Sequence, residues 1–352
     1  MRAQLRKVAH EGAAPVAHEP WALERGIAPV TTRRTVRRPA GPPTWRGHLR
    51  ILRLDHWFKN VFAIPGVVVA LSTVSSVDPA ALALRLVVAA LALGLVASSN
   101  YVLNEIQDAP YDRLHPVKRS RPVPSGEVHV GVAYAQWIAC ALVGFALGAV
   151  ISWAFVASLL ALWAMGCVYN LPPVRTKDVP YLDVLSEAVN NPLRMLAGWF
   201  VVTSATAPPL SLLVSYWMIG CYFMAIKRFA EQRDLGDGGI AVAYRKSFAR
   251  YTSQALLVSI MFYGSAAMLF FGAFVVRYRF ELVLAFPLIA LVMAIYLNLG
   301  FQPDSPTEHP EKLYRVRSLM TAVVVCAVAM TVLTFVDLSF INEVFTPGLQ
   351  PR

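Results

Sequence analysis

The chain has few of the residues that soluble enzymes use for covalent chemistry. Its 352 residues include four cysteines, Cys140, Cys167, Cys221 and Cys326. Each sits inside an apolar run, with no CxxC and no Cys/His spacing, which excludes a disulfide frame and a zinc site and leaves small core residues. There is no phosphate-cradling glycine loop, no GxSxG elbow and no Cys/His nucleophile arrangement. No short apolar segment follows the basic start, so a secretory signal is not expected. Exact internal repeats are absent too. Charged residues make up only 15%, and acidic ones are the minority, 21 against 32 Lys and Arg, for a net charge of +11. In a soluble protein that excess would suggest nucleic acid. Here it is distributed as membrane topology requires, and no nucleic-acid partner is expected.

What is abundant is apolar sequence. Hydrophobic residues reach 57% and the mean hydropathy is +0.52. Nine runs have the length that spans a bilayer: 60–77, 80–103, 128–149, 151–169, 181–203, 209–228, 254–276, 280–299 and 318–338. The fold class expected is therefore all-α, a polytopic membrane protein with about nine transmembrane helices. Residues 1–45, rich in Arg, Ala, Pro and Thr, read as a disordered basic tail attracted to anionic lipid. Residues 46–340 form the membrane domain and 341–352 a short tail. With these spans, 27 Lys and Arg fall on one side and only Arg277, Arg279 and Arg352 on the other. The positive-inside rule then puts the N-terminus and the loops after even-numbered spans in the cytoplasm, with the C-terminus outside the cell (inner) membrane.

The densest charge is at 104–126, NEIQDAPYDRLHPVKRSRPVPSG, directly after the second apolar run. Asn104, Asp108 and Asp112 are spaced i, i+4, i+8, so a continuing helix would aim three oxygen-bearing side chains at one place, with Glu105 beside them. Oxygen donors at that spacing suit Mg²⁺, which takes few protein carboxylates and completes its shell with water and substrate phosphates. Lys118 and Arg121 follow and would neutralise a polyphosphate. The plainer alternative is a solvated charged loop; helical register and the adjacent basic cluster favour the metal.

Other clusters carry the same chemistry. RLDHWFKN (53–60) brings Trp57 and Lys59 to the start of the first span, equally readable as an interfacial anchor and as a cation at a site mouth. Arg175 and Lys177 lie in the proline-broken link after the fourth span. The fifth span holds Asp183, Glu187, Asn190, Asn191 and Arg194, costly in a membrane unless they face a wet cavity or pair internally. The sixth ends in Lys227, Arg228 and Glu231, followed by Tyr244, Arg245, Lys246 and Ser247. These basic groups suit a phosphate. QPDSPTEHPEK (302–312) reads as a solvated loop.

The pattern N-x-x-x-D-x-x-x-D followed by HP-x-K-x-x-RP-x-x-SG resembles the first aspartate-rich motif of the UbiA superfamily of intramembrane prenyltransferases. W-x-K-N, LR-x-LAG, K-R-x-x-E and R-K-S-x-x-x-Y-T are similar to the polyprenyl-phosphate phosphoribosyltransferase branch. Here Asn104-Glu105 stands where that branch has N-D, and the NNP before LR-x-LAG departs from it. The resemblance covers roughly residues 50–338 and implies nine helices around a lipid-open cavity facing the cytoplasm. It implies Mg²⁺ on Asn104, Glu105, Asp108 and Asp112, and catalysis by Asn104, Asp108, Asp112, Lys118 and Arg121. Substrate phosphates would be bound by Lys59, Arg175, Lys177, Arg194, Lys227, Arg228 and Glu231. The donor would be phosphoribosyl pyrophosphate and the acceptor a polyprenyl phosphate. One alternative is an aromatic prenyltransferase using a polyprenyl diphosphate, whose second aspartate-rich motif this chain lacks. Another is a transporter or lipid-binding module, which would not require oxygen donors in helical register beside a basic cluster.

Overall fold

The computed structural model describes residues 42–113, 118–235, 246–308 and 310–341. The expectations for most of the basic tail, for His115 and Pro116, for Tyr244 and Arg245, and for the C-terminal tail beyond Ile341 lie outside them. The described residues are helical, with no strand, as the apolar periodicity requires.

Seven helices among the described residues are long and apolar enough to cross a membrane. They are α3 (Pro79–Asp112), α5 (Val130–Ala149), α6 (Trp153–Asn170), α9 (Leu210–Leu235), α10 (Ser253–Tyr278), α11 (Phe286–Gly300, led in by a 3₁₀ turn from Phe280) and α12 (Arg317–Phe335). Shorter helices are α1 (Trp45–Arg50), α2 (Ile64–Leu71), α4 (Pro122–Ser125), α7 (Leu182–Ala188) and α8 (Asn190–Val202).

The first and fifth expected spans thus differ from expectation: both are composite. The first is a 3₁₀ segment, Leu54–Ala63, followed by α2, which restarts with Pro65 in its first turn. Proline is tolerated there because its missing N–H would have had no partner. The fifth breaks at Val189 between α7 and α8. Pro192 supplies the reason: it offers no N–H to the Ala188 carbonyl one turn earlier, and its ring crowds that carbonyl. The two composite spans cross at backbone contact. A Cβ at Gly66 would overlap the Met195 carbonyl oxygen, and one at Gly198 would overlap that of Ala63.

Helix α3 decides where the site lies. Asp78 caps it, its carboxylate accepting from the Ala80 N–H at 2.9 Å, and Pro79 opens the first turn. Its 34 residues extend about 51 Å at 1.5 Å per residue, well beyond a hydrocarbon core of about 30 Å. The helix is thus long enough to extend its last turns, with Asn104, Asp108 and Asp112, beyond the hydrocarbon. The helix runs on through Pro110 to Asp112. Around α3 the core is in sections. One joins α3, α6 and α8 through Val96, Leu159 and Ala197. Another joins α7, α9, α10 and α11 through Val184, Ile226, Leu256 and Leu299.

The 302–312 loop is solvated only in part: Gln302, Pro303 and Asp304 are exposed, but the residues after them turn inward. Ser305 and Thr307 are wholly buried, the Ser305 hydroxyl donating to the Leu299 carbonyl at 2.7 Å. Arg233, at the end of α9, donates to the carbonyls of Gly300 (2.8 Å) and Gln302. Asp234 accepts from the Asp304 N–H at 3.1 Å and also meets Glu308. Burial, and then the neighbouring Asp234 carboxylate, push the Glu308 carboxyl up to about 7.

Candidate active site

The end of α3 shows two working faces. Asn104, Asp108 and Tyr111 point toward the end of α6 and the link after it. The Asn104 amide donates to Asn170 Oδ1 at 2.7 Å. Asp108 Oδ1 takes Arg175 Nη2 at 3.1 Å and the Lys177 ammonium. Glu105 and Asp112 lie seven residues apart, two helical turns, and face α4. Buried Glu105 accepts from the Val123 N–H at 2.9 Å, which caps the first turn of α4 from a neighbouring helix. Asp112 holds Arg121 at 2.6 Å. Glu105 is thus engaged on α4, while Asp108 and Asp112 remain one turn apart with the Asn104 amide one turn before.

The link 171–181 is bent by Arg175 and Tyr181, both at positive φ, conformations that non-glycine residues hold only when their surroundings over-determine them. The Arg175 guanidinium bonds the Asn170 carbonyl (3.2 Å) and Asp178 (3.0 Å) besides Asp108, and lies over the Tyr111 ring. Lys177 is buried, its ammonium donating to Asn170 Oδ1 at 2.9 Å and lying near the Tyr169 ring.

From Asp178 the chain of contacts continues to the second polar cluster. Lys246 stands 3.9 Å from Asp178 and lies over Tyr111. Its neighbour Ser247 donates to Asp183 Oδ2 at 3.3 Å. Asp183 is 0% exposed and accepts further from the Tyr251 hydroxyl (2.6 Å) and from Arg228 Nε (3.0 Å). Arg228 also reaches Glu231 at 2.7 Å, and Lys227 is 3.8 Å from Glu231. The polar ends of α3 and α9 are therefore joined in one network. Within it Arg228 is committed to two carboxylates, whereas the Lys227 side chain keeps 23% of its surface exposed.

Arg194 sits where the two composite spans meet, contacting Asn60 Oδ1 (3.4 Å) and the Asn190 carbonyl (3.3 Å). Lys59 is half-buried in the 3₁₀ segment beside Asn60, and Lys118 opens a single turn ahead of α4. Asp183 pairs with Arg228 of α9. Sequence reasoning missed Tyr111 and Asn170, and held Tyr251 only as the tyrosine of R-K-S-x-x-x-Y-T, with no partner assigned. An aromatic one turn past Asp108 was the available signal for Tyr111; nothing local marks Asn170.

No group of three or more Asp, Glu, His or Cys side chains able to hold a metal is present among the described residues. The donor set is instead two carboxylates and an amide in helical register, each carboxylate already balanced by Lys or Arg. That is poor chemistry for a closed protein cage and fits Mg²⁺, which leaves most of its shell to water and phosphate oxygens.

An all-helical membrane domain with a composite cationic and acidic site defines a membrane-bound transferase, and the comparisons agree. The model of the UbiA prenyltransferase family matches residues 61–319; the chain belongs to that family. Its similarity runs to the phosphoribosyltransferase branch. It is 31% identical over 223 residues to decaprenyl-phosphate phosphoribosyltransferase of Mycolicibacterium smegmatis, covering 62% of this chain and 67% of the relative. The Mycobacterium tuberculosis protein of the same description is 27% identical over 230 residues, covering 64% of this chain and 72% of the relative. Among solved structures, a UbiA homolog from Archaeoglobus fulgidus bound to DMAPP and Mg2+ superposes with a TM-score of 0.61 at 19% identity, covering 80% of this chain and 99% of that one.

Proposed function

We propose that the chain transfers a 5-phosphoribosyl group from phosphoribosyl pyrophosphate to a polyprenyl phosphate, at a site facing the cytoplasm. The observation that carries this reading is the end of α9. It presents a partly buried lysine, Lys227, beside an arginine whose charge is already balanced by Asp183 and Glu231. A second metal–diphosphate clamp would need free carboxylates there. An additional phosphate, carried by a phosphoribosyl donor and absent from an allylic diphosphate, needs a cation.

In this mechanism Asn104, Asp108 and Asp112 would hold Mg²⁺, which would supply positive charge against the diphosphate of the donor. Arg175 and Lys177, beside Asp108, bind phosphate oxygens. Lys118 and Arg121 take up charge on the departing pyrophosphate, and preorganised cations of this kind are the main source of rate. Lys227 and Arg194 orient the 5-phosphate, with Lys59 at the mouth. The bond from ribose C1 to pyrophosphate oxygen breaks, and one from C1 to an oxygen of the lipid phosphate forms. Arg228 and Glu231 act by fixing Lys227.

Purified protein supplied with Mg²⁺, radiolabelled phosphoribosyl pyrophosphate and a polyprenyl phosphate should yield labelled lipid. Asp108→Asn should abolish turnover while the protein still inserts and folds. Geranyl diphosphate with 4-hydroxybenzoate should give no product. Prenylated aromatic product without lipid-linked ribose would transfer the assignment to aromatic prenylation.

A further inference from the structure

A second polar feature lies just outside the network. Between α1 and α4 runs a groove of about 520 Å³ whose wall carries Arg50, Arg53 and Arg121, with Asp55 and Glu105 as its acidic members. Arg50 and Arg53 precede the residues matched by the family model. Two of the three guanidiniums have carboxylate partners: Arg50 with Glu127 and Arg121 with Asp112, both at 2.6 Å. Arg53 forms no ion pair among the described residues. It is half-buried, contacts His56 Nε2 and lies over the Tyr101 ring. Its backbone is left-handed, φ 49°, a strained state for arginine that tertiary packing has to hold. Burial, followed by the nearby Arg121 guanidinium, pulls Arg53 below the usual arginine range. Two guanidiniums that repel each other across a cavity accommodate an anion between them.

The surroundings say what kind of anion. Leu54, Phe58 and Val61, at helical spacing along the segment that leaves the groove, are each about half exposed. They continue into Ile64 at the start of α2, also exposed. A basic groove opening onto an apolar strip matches a molecule with an anionic head and a long hydrocarbon tail. Arg121 reaches Asp112 from the same wall, so a head group in the groove lies one side chain from the α3 motif.

We propose that Arg50, Arg53 and Arg121 form an interfacial subsite for the phosphomonoester head of an isoprenoid lipid, whose tail runs along Leu54, Phe58 and Val61. That this lipid is the acceptor rests on the function proposed above; that a lipid phosphate binds here does not. Arg121 stands between the head group and the leaving pyrophosphate and serves both anions.

The probe is farnesyl phosphate, titrated against the full chain in phosphatidylcholine nanodiscs, with farnesol, inorganic phosphate and phosphatidylglycerol as comparison ligands. Farnesyl phosphate should bind at least about tenfold more tightly than farnesol or inorganic phosphate, since head and tail both contribute. Arg53→Gln should weaken it by about tenfold or more, the loss of one charge-assisted contact, and Arg50→Gln, on the exposed rim, by about threefold. Binding of phosphoribosyl pyrophosphate should not change in either. Wild-type affinity for farnesyl phosphate in Arg50→Gln, and in Arg53→Gln where it melts like wild type, would overturn the subsite. So would phosphatidylglycerol competing on equal terms, because the groove would then be a general anionic-lipid contact. Inorganic phosphate binding as tightly as farnesyl phosphate would overturn the lipid assignment. A wild-type chain that binds farnesyl phosphate through Arg53 yet transfers no ribose would remove the proposed function and leave the subsite standing. Ribose transfer with an unchanged KM for lipid in both variants would do the reverse.

Discussion

Arg228→Ala tests the division of labour at the end of α9. The Arg228 side chain is 4% exposed, and its guanidinium meets Asp183 at 3.0 Å and Glu231 at 2.7 Å. Removing it takes the guanidinium from both carboxylates; Asp183 keeps the Tyr251 and Ser247 hydroxyls, and Glu231 keeps Lys227 at 3.8 Å. Two charge-assisted hydrogen bonds at about 1.5–3 kcal/mol each, and the direct precedent of about 3–5 kcal/mol for breaking a buried ion pair, converge on about 4 kcal/mol. Scaled by the usual relation for larger domains, that lowers Tm by about 10 °C. Lys227→Ala should behave differently. Its side chain is 23% exposed and its pairing distance is 3.8 Å, so the stability loss should stay within about 1 kcal/mol. The donor KM should rise by an amount typical of a lost phosphate contact, about 2–3 kcal/mol. Thermal unfolding of both variants in detergent, followed by tryptophan fluorescence, separates the two roles. Asp183→Asn with Glu231→Gln in the Arg228→Ala background should recover part of the lost Tm, because the stranded charges are gone. If Arg228→Ala melts within about 2 °C of wild type, the guanidinium is not holding the two carboxylates and the partition is wrong.

Other expectations follow from single features. Gly66→Ala should cost about 1–3 kcal/mol because its Cβ would strike the Met195 carbonyl, whereas Gly272→Ala, which meets nothing closer than Phe286, should be tolerated or stabilising; paired melts decide it. Glu308 is raised from 4.5 to about 7 in the folded chain, so its contribution is complete below about pH 4.5 and disappears as pH rises through about 7. Glu308→Gln should flatten the decline in Tm across that window, and an unchanged profile would show that the loop is held by other groups. Reporter fusions after residues 126 and 245 should both read cytoplasmic and one after 207 external, as the charge split requires. Opposite readings at 126 and 245 would break the composite site.

Much of the architecture was legible because membrane burial imposes a simple code. Length and apolarity marked the seven long helices, and the charge asymmetry came from counting. The register of Asn104, Asp108 and Asp112 along α3 was also legible, since i, i+4, i+8 spacing is a local property of any continuing helix. The breaks were only half legible. Pro192 and Pro65 announce interruptions, but whether a proline kinks, ends or opens a helix depends on what satisfies the neighbouring carbonyls. The 302–312 loop was half legible for the same reason. Its composition is that of a solvated turn, which residues 302–304 obey, whereas Ser305 and Thr307 are buried and Arg233 and Asp234, about 70 residues earlier, anchor the loop.

By itself, then, the sequence determined that this is a helical membrane protein and which side chains could bind phosphate and a divalent ion. Periodicity, hydropathy and charge count are local or additive properties of the chain. Only the tertiary structure decided which of those side chains are free to act. It turned Glu105 onto the Val123 N–H, away from Asp108. It locked Arg228 between Asp183 and Glu231 while leaving Lys227 at the edge, and it joined the ends of α3 and α9 through Arg175, Asp178 and Lys246. The contacts that decide those outcomes join residues 18 to 68 positions apart: Glu105 to Val123, Asp183 to Arg228 and Asp178 to Lys246. No local pattern encodes such distances; they are fixed when the helices pack and each buried charge has to find its partner.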